Sequence, residues 1–276
     1  MPEGDTIFLA AATLHRVFAG KIVTAFESVL PSLTRVDAER PLAGRTIESV
    51  TSRGKHMLMS FSGDLTLHTH MRMNGSWHVY RPGERWRRPA RDMRIVVATS
   101  DALAVGFNIP VAEFLTGGDL ARHRQLQALG PDLLDPAFDR AAAQARIRML
   151  AEHAIADVLL NQGAIAGIGN VFKSEILFMA GVDPFTRVAD LGDDAVDRLI
   201  DTALKQLRVN VVARARSLAP RRGRRTTGSL HPDKGLWVYG RGGLPCRKCG
   251  TTILTRKTGD DARLTYWCPR CQVSSS

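Results

Sequence analysis

Two groups of residues have types and spacings that could do chemistry. Pro2 and Glu3 open the chain, and Cys246, Cys249, Cys268 and Cys271 close it. An initiator methionine before a small residue is normally trimmed, leaving Pro2 with a free secondary amine. That amine can attack an electrophilic carbon and form an iminium ion, a strategy of the Schiff-base type. A terminal amine titrates well below lysine, so more of it is neutral near pH 7. Glu3, one peptide bond away, is placed to move protons. Taken alone, Met1-Pro2-Glu3 is also the ordinary start of a chain.

The cysteines form two C-x2-C knuckles with residues 250–267 between them. That spacing supplies four thiolates to one tetrahedral Zn²⁺. A thioredoxin-like redox pair would need one such knuckle, not two. A closed four-cysteine site leaves no open coordination position, so the ion is expected to be structural. The finger is too short to build a core alone, and the metal would supply its stability. Arg256, Lys257, Arg263 and Tyr266 lie between the knuckles, giving a hairpin that can press against phosphates.

Composition narrows the partners. The 276 residues carry 38 Lys+Arg against 27 Asp+Glu, a net charge of +11, and the pI is near 10.1. A field of that sign favours phosphate polymers. The chain is 44% hydrophobic, enough for a real core. No stretch approaches the roughly 20 apolar residues of a membrane span. The start is acidic and lacks the basic region of a signal peptide. A cytoplasmic protein with reduced cysteines is therefore expected.

These groups need elements to hold them. Residues 6–18 carry apolar residues at helical spacing, with Asp5 or Thr6 able to cap. From 21 to about 115 short strands follow: 22–30, 45–53, 56–61, 65–73, 75–81, 94–100 and 103–109. Turn signals such as Ser62-Gly63-Asp64 and Pro82-Gly83-Glu84 separate them. This predicts an antiparallel sandwich or flattened barrel over 1–117. Residues 118–133 read as a linker. Helical periodicity then covers 136–150, 151–162, 170–180 and 193–212, in a domain ending near 235. Residues 217–235, rich in Arg, Gly, Ser and Pro, read as a mobile loop. A short strand at 236–241 leads into the finger, 236–276. The fold class is thus α+β and multidomain.

Residues 161–175 end one helix near Gln162, turn through Gly163, Gly167 and Gly169, and begin another at Asn170. Asn is favoured as a helix cap. Free amides there bind phosphate. A purely structural turn between packed helices fits the same residues.

Pro2-Glu3, the Arg53-Gly54-Lys55-His56 hairpin, the Ala166-Gly-Ile-Gly-Asn170 turn and the four-cysteine finger occur together. In combination they resemble the formamidopyrimidine-DNA glycosylase / endonuclease VIII family, and the resemblance runs end to end. It implies an N-terminal β-sandwich, a helix–two-turn–helix domain, a zinc finger with one structural Zn²⁺, and damaged DNA as partner. Pro2 would be the nucleophile at C1′ of the damaged nucleotide, and Glu3 the acid/base that opens the sugar. Lys55 would contact phosphate beside the lesion, Asn170 would bind phosphate, and Arg263 would grip the same region. Glu175 matches a family glutamate with a supporting role. Met73 lies where the family fills the gap left by the flipped base, flanked by Arg72 and Asn74.

Plainer readings accompany each. Lys55 is one more hairpin lysine, Met73 is core, and Glu175 pairs with Lys173 or Arg187. His56, His68 and His70 read as structural groups rather than metal ligands. The start Pro-Glu-Gly favours the endonuclease VIII branch. Val105–Phe114 lacks the Asp-Pro-Arg-Arg-Phe-Gly stretch of the purine-directed branch, which argues for oxidised pyrimidines over 8-oxoguanine. Asp5-Thr6 stands where the family often has Pro-Glu, and Asn74 where this branch often has tyrosine. A monomer is expected, acting on double- or single-stranded DNA at the nucleoid. The competing classes are a damage-binding zinc protein without chemistry and, less favoured with only 6% aromatics, a zinc-ribbon RNA factor.

Overall fold

Helix α1 (Gly4–Phe18) buries Ile7, Ala11, Leu14 and Phe18, the stripe that the helical spacing predicts. In this computed structural model, which describes residues 2–215, 223–259 and 262–273, the N-cap is Glu3, without a side-chain cap bond. Asp5 is not the cap. Its carboxylate instead accepts from the backbone N–H of Thr6 at 2.7 Å. The chain divides into two compact units, 1–127 and 128–276.

The first unit contains two four-stranded antiparallel sheets. Strands β1 (Ala25–Ser28), β2 (Ile47–Arg53), β3 (His56–Phe61) and β4 (Leu65–His70) are followed by β5 (Ser76–Tyr80), β6 (Met93–Ala98), β7 (Leu103–Phe107) and β8 (Val111–Leu115). One sheet runs β1-β6-β7-β5 and the other β2-β3-β4-β8. The core joins α1, the second sheet through Ile47, Met57, Met59 and Leu67, and the first sheet through Ile95, Val97 and Ala104. The backbone N–H of Val50 donates to His15 Nδ1 at 3.1 Å, fixing α1 on β2.

Three details differ from the sequence expectation. Helix α2 (Pro31–Glu39) follows β1, with Pro31 at its start, where proline's fixed φ and absent N–H cost nothing. The stretch 105–114 is β7, a tight turn and β8. Residues expected as linker contain α3 (Gly117–Arg122) and α4 (Arg124–Gln127). Thr116 and Asp119 form a capping box that starts α3.

The second unit holds α5 (Arg140–Arg148), α6 (Ile155–Val158), α7 (Asn170–Ala180) and α8 (Asp193–Ala215) around one core that includes Ile147, Ile168, Phe172, Ile176 and Leu199. The two-turn connection from α6 to α7 is held by Gln162, whose Nε2 donates to Leu160 O and Ile168 O. Its Oε1 accepts from Gly167 N–H. Residues 236–241 are bends and turns rather than a strand, because their amides serve a carboxylate described below. The finger's strands are β9 (Leu254–Thr258) and β10 (Arg263–Trp267), paired antiparallel.

No helix among the described residues is long and apolar enough to cross a membrane.

Candidate active site and nucleic-acid interface

Pro2 directly precedes the first turn of α1 and is half-buried, while Glu3 is fully buried. Glu3 O accepts from the N–H groups of Thr6 and Ile7, which fixes the residue at the helix entrance. A carboxylate there faces the positive end of the helix dipole. Asp5 is also buried, so two acidic side chains sit within the first turn after Pro2. Met1, whose removal the iminium chemistry requires, lies outside the described residues.

Lys55 rides the two-residue β2–β3 hairpin, in which Arg53 pairs with His56. Gly54 has φ +59°, the positive value that such tight hairpins demand at their first central position. Across the sheet, His56 pairs with His70. The hairpin tip therefore lies beside the turn that follows β4. That turn carries Arg72 (φ +48°), Met73 and Asn74. Met71 is buried, but Met73 is 56% exposed, so the reading of Met73 as core is not met. Gly75 closes the turn because a Cβ there would lie 2.5 Å from Met71 O. Within the first unit the chain thus brings Lys55, Arg72, Met73 and Asn74 to one end of one sheet.

Below them runs a file of histidines. His56 Nδ1 lies 2.8 Å from His68 Nε2, and His68 Nδ1 lies 2.9 Å from a Glu113 carboxylate oxygen. Glu113 also receives His123 Nε2 at 3.0 Å. Burial, reinforced by His70, His68, His123 and Arg72, pushes His56 down to about 3. Burial together with Arg72 and Lys55 pushes His70 down to about 4. Both rings are neutral at physiological pH, consistent with the expected structural role.

In the second unit the cap of α7 is Gly169, and Asn170 is the first helical residue. Its side chain is not spent on capping. Nδ2 donates to Leu264 O on β10 at 3.0 Å, while buried Oδ1 finds no donor among the described residues. The helix start and the finger hairpin thus meet at Asn170 and Leu264, and Arg263 is the residue before Leu264 on β10. Lys173, fully buried, donates to Thr265 Oγ1 at 2.7 Å. Arg256 instead stacks 3.4 Å above the Phe185 ring. Its guanidinium is engaged by the protein.

Glu175 points elsewhere. Oε1 accepts from the N–H groups of Val238 and Tyr239, at 2.9 and 2.8 Å. Oε2 accepts from Trp237 N–H at 2.8 Å and from the Thr226 hydroxyl. Burial raises its pKa, opposed by these four donors. The lone pairs of its two oxygens can accept from all four at once. It pairs with neither Lys173 nor Arg187 in these contacts. Arg187 instead meets Asp190 and Glu152. Asn210 holds the same region by accepting from Arg225 N–H and donating to Arg225 O. The expected mobile loop is therefore anchored over 223–235, while 217–222 lie outside the described residues. Sequence reasoning missed Thr226 and Asn210, since neither has a local signature.

The four cysteines are free thiols whose sulfurs lie within 4.8 Å of one another. Cys246 and Cys271 are 3.9 Å apart, and Cys249 and Cys268 3.5 Å. Zn–S bonds of roughly 2.3 Å in a tetrahedron place sulfurs about 3.8 Å apart, so the donors fit. Burial and the neighbouring sulfurs push the Cys271 thiol up to about 12. Four thiolates this close together need a dication to coexist.

Family models match the chain in the same order as these parts. The formamidopyrimidine-DNA glycosylase N-terminal domain matches residues 1–110, and the formamidopyrimidine-DNA glycosylase H2TH domain matches 129–220. The zinc finger found in FPG and IleRS matches 243–273. The chain belongs to the formamidopyrimidine-DNA glycosylase / endonuclease VIII family. Within it, the chain is 43% identical to probable endonuclease 8 2 of Streptomyces coelicolor, covering 99% of this chain and 94% of that protein. It is 38% identical to DNA-(apurinic or apyrimidinic site) lyase Nei2 of Mycolicibacterium smegmatis, covering all of both. The Lactococcus lactis Fpg, solved in complex with DNA containing an abasic site, has the same fold. The TM-score is 0.81 at 22% identity, over 98% of this chain and 99% of that one.

Proposed function

We propose that this protein is a base-excision-repair DNA glycosylase with AP lyase activity, directed at oxidised pyrimidines. The observation that carries the reading is Pro2 at the entrance of α1, followed by the fully buried carboxylate of Glu3. Together they supply an amine nucleophile and a fixed proton-transfer group. The nitrogen of Pro2 bonds to C1′ as the damaged base leaves with its electron pair and takes up a proton. Glu3 protonates the sugar ring oxygen, and ring opening leaves an iminium between Pro2 and C1′. The iminium acidifies the C2′ hydrogens. Loss of one expels the 3′ phosphate, and a second elimination expels the 5′ phosphate.

Lys55, Asn170 and Arg263 are assigned to the phosphates, where cations and amides stabilise the leaving charge. Met73, exposed on its turn, is assigned to the gap left by the extruded base, with Arg72 and Asn74 at its sides. Glu175 supports the interface by positioning 226 and 237–239. Cys246, Cys249, Cys268 and Cys271 would hold one Zn²⁺, which supplies structure to the finger. Residues 1–117 form the catalytic domain, 118–133 the connection, 134–235 the helix–two-turn–helix domain and 236–276 the finger. The protein acts as a monomer in the cytoplasm, at the nucleoid, on double- or single-stranded DNA.

Oxidised pyrimidines are favoured because β7, its turn and β8 occupy 103–115, and this stretch has no arginine and no Asp-Pro-Arg-Arg-Phe-Gly sequence of the purine-directed branch. Borohydride trapping on thymine-glycol and abasic duplexes should give a covalent protein–DNA adduct. Absence of an adduct from protein with a trimmed N-terminus would sink the enzyme reading. Full lyase activity in Pro2→Gly would move the nucleophile elsewhere. Faster release of 8-oxoguanine than of thymine glycol would reverse the substrate choice.

A further inference from the structure

His68, Glu113 and His123 come from three elements and converge on one point. His68 is on β4 and Glu113 is its direct cross-strand partner on β8. His123 stands between α3 and α4. His68 Nδ1, a Glu113 carboxylate oxygen and His123 Nε2 all lie within 4.8 Å of one another. The two His–Glu separations are 2.9 and 3.0 Å. The His68 and His123 rings meet edge-on, 5.0 Å between centroids. None of these residues has a part in the iminium chemistry or in the cysteine cluster.

We infer that His68, Glu113 and His123 form a second divalent-metal site, suited to Zn²⁺ and distinct from the finger. Two imidazoles and one carboxylate are a donor set that suits first-row ions of the zinc type, whereas Ca²⁺ and Mg²⁺ prefer all-oxygen shells. Bonds of roughly 2.0–2.1 Å in a tetrahedron separate N and O ligands by about 3.3 Å. The two His–Glu separations would lengthen by a few tenths of an ångström to admit the ion, and the two imidazole nitrogens already lie within 4.8 Å of each other. His68 is fully buried and cannot swing away, while Glu113 and His123 are 41% and 15% exposed at their side chains. The partly exposed Glu113 and His123 leave the cluster accessible to an ion from solvent.

The outer shell is also in place. Ligation through Nδ1 leaves the His68 proton on Nε2, which lies 2.8 Å from His56 Nδ1. His56 then accepts that bond, carrying its own proton on Nε2. Such a second hydrogen bond is what orients a metal-bound imidazole. The cost is the long 3.3 Å bond from Leu126 N–H to His123 Nδ1, which must then carry the proton.

The test is equilibrium dialysis of the full chain, with its finger loaded, against micromolar Zn²⁺, counting ions per chain. The wild type should bind a second equivalent. Glu113→Gln and His123→Gln, both at partly exposed positions, should lose it while keeping the first equivalent and the wild-type circular dichroism. Retention of only one equivalent by the wild type overturns the site. So does a second equivalent that survives in both variants, since the ion then lies elsewhere. If either variant loses its circular dichroism, a Co²⁺ titration of the wild type decides. A spectrum with nitrogen and oxygen ligands supports the site, and thiolate absorption alone overturns it.

Discussion

Lys55 is half-buried at the tip of the β2–β3 hairpin, which Gly54 turns at positive φ, and His56 behind it is buried. The hairpin tip is therefore a fixed platform for one cation. Such a contact adds to affinity through counterion release, not through base recognition. Lys55→Ala should weaken binding to all DNA alike and flatten the log–log salt dependence by about one. Fluorescence anisotropy at several salt concentrations measures this, and an unchanged slope would remove Lys55 from the phosphate contacts. The candidate residues of this hairpin were legible because glycine before a lysine between two alternating stretches is a local signal. The His68–Glu113–His123 cluster was not legible. Its members are far apart in the chain, and strand register decides that His68 faces Glu113.

Among the elements, α7 does the most varied work. Its first residue, Asn170, touches β10, and its interior Lys173 touches Thr265. Glu175 gathers Thr226 and the amides of 237–239. A buried donor left without an acceptor costs about 1–3 kcal/mol. Glu175→Ala strips several at once, so the loss of unfolding free energy should be at least about 3 kcal/mol by the same figure. Denaturant titration reads this directly, and a loss under about 1 kcal/mol would mean that the donors find water instead. The helix itself was legible from its period. The failure of 236–241 to form a strand was not, because alternation there resembles a strand while its amides are claimed by a carboxylate from α7. For the same reason, composition alone read 223–235 as mobile. Helix α2 was missed because apolar residues on both sides of Pro31 continue the pattern of β1.

At the scale of the whole molecule, the finger is part of the second unit's interior. Phe178 of α7 packs with Val238, Ile253, Cys246 and Cys268, and Trp237 lies against them, stacked on Phe178. Gln272 donates to Val182 O and accepts from Cys268 N–H. Metal loss should therefore be felt in the helices. A strong chelator is expected to expose all four cysteines to a thiol reagent, to shift the emission of Trp237 and to lower the melting temperature. DNA affinity should fall in parallel. A chelated protein that keeps its melting temperature would separate the finger from the helical core. The order of parts, strands then helices then finger, was readable along the chain because each has its own periodicity or spacing. The sharing of one interior between helices and finger was not, since it depends on side chains such as Phe178 and Gln272 meeting partners distant in sequence.

The carboxylate of Glu175 also sets a rule about length. It holds Thr226 at one end of a segment and Trp237 at the other, with one carboxylate between them. A residue inserted or deleted between those positions must pull one end off its anchor. Among the described residues no shared carboxylate ties the stretch between Asn210 and Arg225 in this way, and loop closure grows costlier only slowly with added residues. Insertions and deletions should thus be tolerated in the arginine-rich stretch before 225 and excluded after it, so drift in chain length is confined to one side of a single hydroxyl.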